Sequence, residues 1–170
     1  MTAAAALLGV ALALPDPWYA PGQAPETPEE RSGRVAMIVE SAVAASEPTP
    51  AGWPGTSPEL AAAVLAVTWH ESRRWAVEVH DGTVRGDGGR SCGLGQTYGR
   101  CSNVGTSRDA TQRHLRDVAE LLAWSADRCR VRSLSRPGVA RVLTLYGTGK
   151  TCVPASWSWP RARLWSRMVQ

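Results

Sequence analysis

The strongest constraint on the fold is a run of ten residues, Leu60 to Trp69, in which only Thr68 is not apolar. The preceding Ser57-Pro58-Glu59 is typical of a helix start, because proline fits the first turn and a carboxylate there faces the positive helix end. A helix that is apolar on nearly all sides is stable only when other elements cover it. The run therefore predicts a buried central helix that ends in the polar residues His70-Glu71-Ser72.

Other helices are predicted around this one. Thr27 before Pro28 is a second helix start of the same kind, and apolar residues at spacings of three and four predict a helix within Thr106 to Arg130. Val139 to Tyr146 and Trp157 to Met168 predict two shorter helices. Seven glycines between Val79 and Asn103 indicate loops and one short hairpin. The predicted class is mainly α: a helical bundle around the buried helix that carries Glu71, with a glycine-rich loop or hairpin beside it.

The 170 residues are sufficient for one domain, within which we expect two parts. Residues 1–55 comprise an apolar start, a proline-rich connector and a scaffold helix, and residues 56–170 form the main core. The apolar start has the length of a signal-peptide core, but no Lys or Arg precedes its apolar run. It is too short to span a membrane, and it is either a signal sequence or an uncleaved first helix.

Four cysteines, Cys92, Cys101, Cys129 and Cys152, lie in the second half of the chain. No CxxC pair is present, so disulfides are preferred to a zinc site, and Cys92–Cys101 with Cys129–Cys152 is the local pairing among three alternatives. Disulfides would place the protein outside a reducing cytosol, either secreted, periplasmic or associated with a phage.

Charge is distributed unevenly along the chain. The formal net charge is +4, and from Arg128 onward there is no Asp or Glu. A basic carboxy-terminal third suits a polyanionic partner, and both bacterial cell wall and nucleic acid are polyanions.

Glu71 is the candidate catalytic residue. A carboxyl group at the end of an apolar helix has its pKa raised by desolvation unless partners compensate, and a raised pKa suits a general acid. The alternative is that Glu71 simply terminates the helix, and either points to water or pairs with Arg73 or Arg74.

Three motifs together resemble the lytic transglycosylase and goose-type lysozyme superfamily. They are Trp69-His70-Glu71-Ser72, Ser91-Cys92-Gly93-Leu94-Gly95-Gln96 and Leu145-Tyr146-Gly147-Thr148-Gly149. The family pattern has Glu-Ser at a helix end, then Ser-x-Gly-Leu-x-Gln, then a tyrosine followed by asparagine. This chain has Gly147 in place of that asparagine and Gly95 where methionine is common.

The resemblance implies a lysozyme-like fold and cleavage of the β-1,4 bond between N-acetylmuramic acid and N-acetylglucosamine in peptidoglycan. Glu71 would be the acid/base, and Ser72 would support it. Ser91, Gly93, Leu94 and Gln96 would shape the cleft floor, and Tyr146 would hydrogen-bond the carboxyl group or the substrate. The expected partner is the glycan strand rather than nucleic acid, and the expected state is a monomer without a cofactor.

Two outcomes remain open for the sugar after protonation. A lytic transglycosylase needs one carboxylate and forms a 1,6-anhydro product, whereas a hydrolytic lysozyme places a water with a second carboxylate, for which Asp81 and Asp87 are candidates. A non-catalytic module that binds cell wall or nucleic acid is the alternative of another class. Trp157 and Trp159 are candidates for exposed aromatic rings that stack on sugar.

Two other motifs are rejected. His70-Glu71 matches the start of the zinc-protease sequence HExxH, but Arg74 stands where the second histidine is required, so no metal is expected. Gly89-Arg90-Ser91-Cys92-Gly93 matches G-x-S-x-G, but the strand and helix that this nucleophile motif requires are not predicted around it.

Overall fold

A computed structural model describes residues 2–17, 19 and 24–170. Seven α-helices lie within these residues: α1 Ala3–Leu12, α2 Pro28–Ala45, α3 Ser57–Glu71, α4 Val77–His80, α5 Arg108–Arg128, α6 Arg136–Thr148 and α7 Ser158–Met168. The strands β1 Ser91–Cys92 and β2 Thr97–Tyr98 form a two-stranded antiparallel hairpin. The prediction of a mainly helical fold with one short hairpin is confirmed.

Helix α3 lies at the centre of the fold. Every residue from Leu60 to Thr68 is buried, and α2, α5 and α7 pack around the helix. Its N-cap is Thr56, one residue before the predicted start. The backbone of Thr56 is extended, and its N–H donates a hydrogen bond to the carboxylate of Glu59 at 2.8 Å. The Glu59 N–H in turn donates to the Thr56 hydroxyl, and this reciprocal capping box makes Thr56 the N-cap of a helix whose first residue is Ser57.

The amino-terminal part shares the core of the rest of the chain. Leu7 and Ala11 of α1 belong to the same buried apolar cluster as α3, and α1 packs on α2 and α7. Helix α2 begins at the predicted position, with Thr27 as its N-cap and Glu30 completing a capping box. Met1 of the apolar start and Pro21 of the connector lie outside the described residues. None of the helices in the described part of the chain has the length and apolar character needed to cross a membrane.

Two disulfides confirm the local pairing. Cys92–Cys101 joins β1 to a short 3-10 turn at Cys101–Asn103, and Cys129–Cys152 joins the end of α5 to the segment between α6 and α7. All four cysteines are therefore oxidised. The first bridge links the hairpin to the segment that follows it, and the second links α5 to the connection between α6 and α7.

Candidate active site

A cleft of about 750 Å³ opens at the carboxyl end of α3. Its walls come from the end of α3, the glycine-rich segment with the hairpin, α5 and α6. Glu71, Asp87, Gln96, Trp124 and Tyr146 are among the residues that line it. Four segments far apart in sequence thus converge on the predicted acid.

Glu71 is the last residue of α3, and its side chain is 23% exposed. Burial raises the pKa of its carboxyl group, and the negative charge of Asp87 raises this pKa further. The positive charge and hydrogen bond of Arg161 oppose these effects, without cancelling the effect of burial. The carboxyl group therefore binds its proton more tightly than an exposed glutamate does.

The charge partner of Glu71 is Arg161 on α7. Its Nη2 lies 2.7 Å from Glu71 Oε1, and its guanidinium carbon lies 4.5 Å from the centroid of the Trp157 ring. Nη1 also donates a hydrogen bond to the Trp157 carbonyl at 2.8 Å. The indole ring and the backbone carbonyl of Trp157 therefore hold the Arg161 guanidinium against the Glu71 carboxylate. Sequence reasoning missed this residue, because it lies 90 positions from Glu71 and only the packing of α7 on α3 brings the two together.

The turn after Glu71 is strained. Arg73, Arg74 and Trp75 have φ values of 53°, 67° and 58°, although none is a glycine, and such a conformation costs roughly 1 kcal/mol or more for each residue. Ser72 braces the turn: its hydroxyl donates to the Thr68 carbonyl at 2.6 Å and accepts from the Trp75 N–H at 2.9 Å. Ser72 is fully buried and does not line the cleft, so its support of Glu71 is through the backbone.

The predicted loop residues divide into two groups. Ser91 and Gln96 line the cleft, whereas Gly93 and Leu94 do not. Leu94 is 1% exposed and belongs to the core. Gly93 has a φ of 68°, and a Cβ atom there would lie 2.7 Å from the His114 ring, so only glycine fits. Gly93 and Leu94 lie beneath the cleft surface, where their packing fixes the position of the loop.

Gly95 is held between α5 and α6. The Tyr146 hydroxyl donates to the Gly95 carbonyl at 2.6 Å, and the Gly95 N–H donates to His114 Nε2 at 3.0 Å. A Cβ atom at Gly95 would lie 2.3 Å from a methyl group of Val118, so only glycine fits at this position. Burial lowers the pKa of His114 to about 4, so its ring is neutral and Nε2 can accept this hydrogen bond.

The Tyr146 hydroxyl is buried and feels the negative charge of the Glu71 carboxylate. Its pKa is raised chiefly by burial and also by the Glu71 carboxylate, so the phenol is neutral at ordinary pH. Its hydroxyl proton goes to the Gly95 carbonyl rather than to the Glu71 carboxylate. In this structure Tyr146 therefore positions the loop.

Of the two candidate second carboxylates, Asp87 lines the cleft and Asp81 does not. The Asp87 carboxylate accepts a hydrogen bond from the Ser91 hydroxyl, and its negative charge acts on Glu71. The exposed Asp81 instead accepts from the Thr83 N–H at 2.8 Å, as an aspartate in an ordinary turn does. Asp87 is the carboxylate that could assist a water.

Gly147 lies against the Trp157 ring, where a larger residue does not fit. A Cβ atom there would lie 2.7 Å from the Trp157 ring. The same ring stacks on Arg161. Glycine at position 147 thus admits the tryptophan that holds the arginine against Glu71.

The exposed aromatic residues of the cleft differ from those predicted. Trp157 and Trp159 are only partly exposed, whereas Trp124 on α5 is 52% exposed and Tyr98 on β2 is 62% exposed. The prediction failed for Trp157 because it packs on Gly147 and Arg161. Trp124 comes directly after the buried residues Leu122 and Ala123 in the sequence, so composition alone does not distinguish it from a core tryptophan.

In the part of the chain that the structure describes, no group of three or more His, Cys, Asp or Glu side chains is arranged to hold a metal ion. Comparison of the chain with protein-family models, with curated proteins and with solved structures finds no significant match.

Proposed function

We propose that this protein cleaves the β-1,4 bond between N-acetylmuramic acid and N-acetylglucosamine in peptidoglycan, with Glu71 as general acid and then general base. One observation carries the proposal: the Glu71 carboxyl group ends a buried helix, lines a large cleft and has a pKa raised by burial. The resemblance of the Glu-Ser, Gly-Leu-x-Gln and tyrosine motifs to lytic transglycosylases supports the same proposal.

In the first step, protonated Glu71 donates its proton to the glycosidic oxygen as the bond between that oxygen and the sugar C1 breaks. The positive charge that develops on the sugar ring is then quenched by an oxygen nucleophile. Glu71, now a carboxylate, accepts the proton of that nucleophile and returns to its starting state.

Arg161 is a suitable partner for Glu71, which must act first as an acid and then as a base. Burial favours the protonated form of Glu71, and the guanidinium at 2.7 Å favours the charged form. Burial thus favours the acid that donates the proton, and the guanidinium stabilises the carboxylate that remains after donation.

The nucleophile distinguishes two products. We favour attack by the C6 hydroxyl of the sugar itself, which gives a 1,6-anhydro end and needs one carboxylate. The hydrolytic lysozyme reaction is the second candidate, because Asp87 lines the same cleft and could place a water. Mass spectrometry of the released muropeptides distinguishes the anhydro ends of the first reaction from the reducing ends of the second.

The two disulfides agree with action outside a reducing cytosol, on the outer side of a cell membrane or in a phage particle. We propose a monomer whose partner is the glycan strand.

The decisive experiment follows the turbidity of a purified peptidoglycan suspension. Wild type should clear it, whereas Glu71→Gln should lose activity by at least about a hundredfold, the loss expected for a general acid. Glu29→Gln, which alters an exposed carboxylate on α2, is the matched control and should match wild type.

Sedimentation with the same peptidoglycan tests the alternative of a non-catalytic wall-binding module. A module of that class would bind equally well with and without the Glu71 carboxylate and would leave the turbidity constant. Equal clearing by wild type and Glu71→Gln would show that Glu71 is not the acid.

A further inference from the structure

Among the described residues, Trp124 is the most exposed tryptophan that borders the cleft. It lies on α5 and not on the segment that carries Glu71. Leu121, Trp124 and Ser125 all line the cleft, and their spacing of three and four places them on one face of α5. Trp124 also lines a neighbouring groove of about 430 Å³ beside Pro50, Ala51 and Gly52. Its indole is therefore a ridge between two concave surfaces.

Two buried hydroxyl groups border the same cleft. Thr97 on β2 is 2% exposed and Ser125 is 1% exposed. Neither Thr97 Oγ1 nor Ser125 Oγ has a hydrogen-bond partner within residues 2–17, 19 and 24–170. Buried hydroxyl groups normally have partners, so two without one in a single cleft point to groups that a ligand supplies.

We propose that Trp124, Thr97 and Ser125 form a saccharide subsite on the α5 side of the cleft. A pyranose ring stacks on the Trp124 indole, and the hydroxyl or acetamido groups of the sugar form hydrogen bonds with the side chains of Thr97 and Ser125. A pyranose combines an apolar C–H face with donors and acceptors around its edge, which matches a flat aromatic ring beside buried hydroxyls. The inference rests on the proposed function in taking the ligand to be a glycan, and it adds where a sugar ring binds away from Glu71.

The charges of the cleft favour a sugar over a nucleobase. Single-stranded nucleic acid also stacks on aromatic rings, but it requires a positively charged groove along its phosphates. The charged residues that line this cleft are Glu71 and Asp87 together with Arg73 and Arg100, and they do not form such a groove. The neighbouring groove beyond Trp124 adds the carboxylates Glu120 and Asp127.

The test measures binding without turnover. In the Glu71→Gln protein, titration with a β-1,4-linked N-acetylglucosamine hexamer should shift the indole N–H resonance of Trp124 in an NMR spectrum and give a dissociation constant by calorimetry. Adding Trp124→Ala should weaken binding at least tenfold, and Trp124→Phe should weaken it less, because a smaller ring remains. Val153→Ala, a change at a residue that is 72% exposed and outside the cleft, should leave the affinity unchanged.

The hydroxyl groups have their own matched pair. Thr97→Val and Ser125→Ala should each weaken binding severalfold, whereas Thr97→Ser keeps the hydroxyl and should bind as the parent does. Circular dichroism of each variant establishes that it is folded, and a misfolded Thr97→Val leaves the Trp124 series to decide the question.

The outcomes separate this inference from the proposed function. Failure of the parent to bind the hexamer, equal binding by Trp124→Ala, or a Trp124 resonance that shifts only with a single-stranded oligonucleotide would overturn the subsite. Hexamer binding that depends on Trp124 in a protein that leaves peptidoglycan intact would support the subsite and refute the enzyme. With active protein, Trp124→Ala should raise KM with kcat nearly unchanged, since the ring does not touch the reacting bond.

Discussion

Replacement of Arg161 by methionine removes the positive charge beside Glu71 and keeps much of the volume that covers Trp157. For two charges about 4 Å apart, the attraction is about 4 kcal/mol at an effective dielectric constant of 20. The side chains are 13% and 23% exposed, so solvent screens part of this attraction, and we take about 1–2 kcal/mol as the effect on the charged carboxylate.

The sign of the effect on activity follows from the acid role. Loss of Arg161 removes an effect that lowers the pKa of Glu71, so this pKa rises and the carboxyl group stays protonated to higher pH. At about 1.4 kcal/mol for each pH unit, the alkaline limb of the activity profile should move upward by about one unit. The maximal rate should fall, because the carboxylate formed after proton donation loses its stabilising partner.

The assay is the initial rate of peptidoglycan clearing between pH 4 and 9. Arg161→Lys keeps the charge and should retain the wild-type alkaline limb. Arg163→Met removes an exposed arginine from the same helix and is the control for net charge and wall affinity. An alkaline limb at the same pH in Arg161→Met and Arg163→Met would refute the electrostatic reasoning.

Three further predictions concern the frame of the site. Gly147→Asn should displace Trp157, because a Cβ atom there lies 2.7 Å from its ring; we expect at least a tenfold loss of activity with a changed tryptophan fluorescence spectrum, and unchanged activity would contradict this packing. The pKa values of buried His80 and His114 are lowered to about 4, so between about pH 6.5 and 4 the unfolded chain binds more protons than the folded chain. As the pH falls through this window, the free energy of unfolding should therefore fall by roughly 3 kcal/mol for each histidine, as measured by urea titrations. Replacing the Cys129–Cys152 disulfide, with a sequence separation of 23, by two serines should cost about 3 kcal/mol in the same titrations, while a loss below 1 kcal/mol would contradict it.

The sequence was sufficient to predict features that depend on neighbouring residues. The helix that begins at Thr27 and Pro28 and the buried run from Leu60 follow from capping chemistry and apolar pattern. The local disulfide pairing follows from short separations along the chain. The hairpin could be expected because clustered glycines exclude a long helix there.

The partners of Glu71 could not be predicted in this way. Arg161 is one of many arginines, and nothing in the local sequence distinguishes it from Arg73 or Arg74 as a counter-charge. The contact depends on the packing of α7 against α3, where the Trp165 indole donates a hydrogen bond to the Glu59 carbonyl at 3.2 Å. The left-handed turn after Ser72 was also missed, because it contains no glycine to signal it.

Glu71 pairs with a residue 90 positions later, so the pair can form only late in the synthesis of the chain. Chains emerge from the ribosome amino terminus first, so α3 is made well before Trp157 and Arg161 exist. Until α7 is synthesised, the carboxyl group has neither its counter-charge nor the helix that covers this side of α3. The electrostatic environment of Glu71 is therefore completed only after α7 has been made, and ribosome-bound chains that stop before Arg161 should lack the wild-type pKa of Glu71 even if their earlier helices have formed.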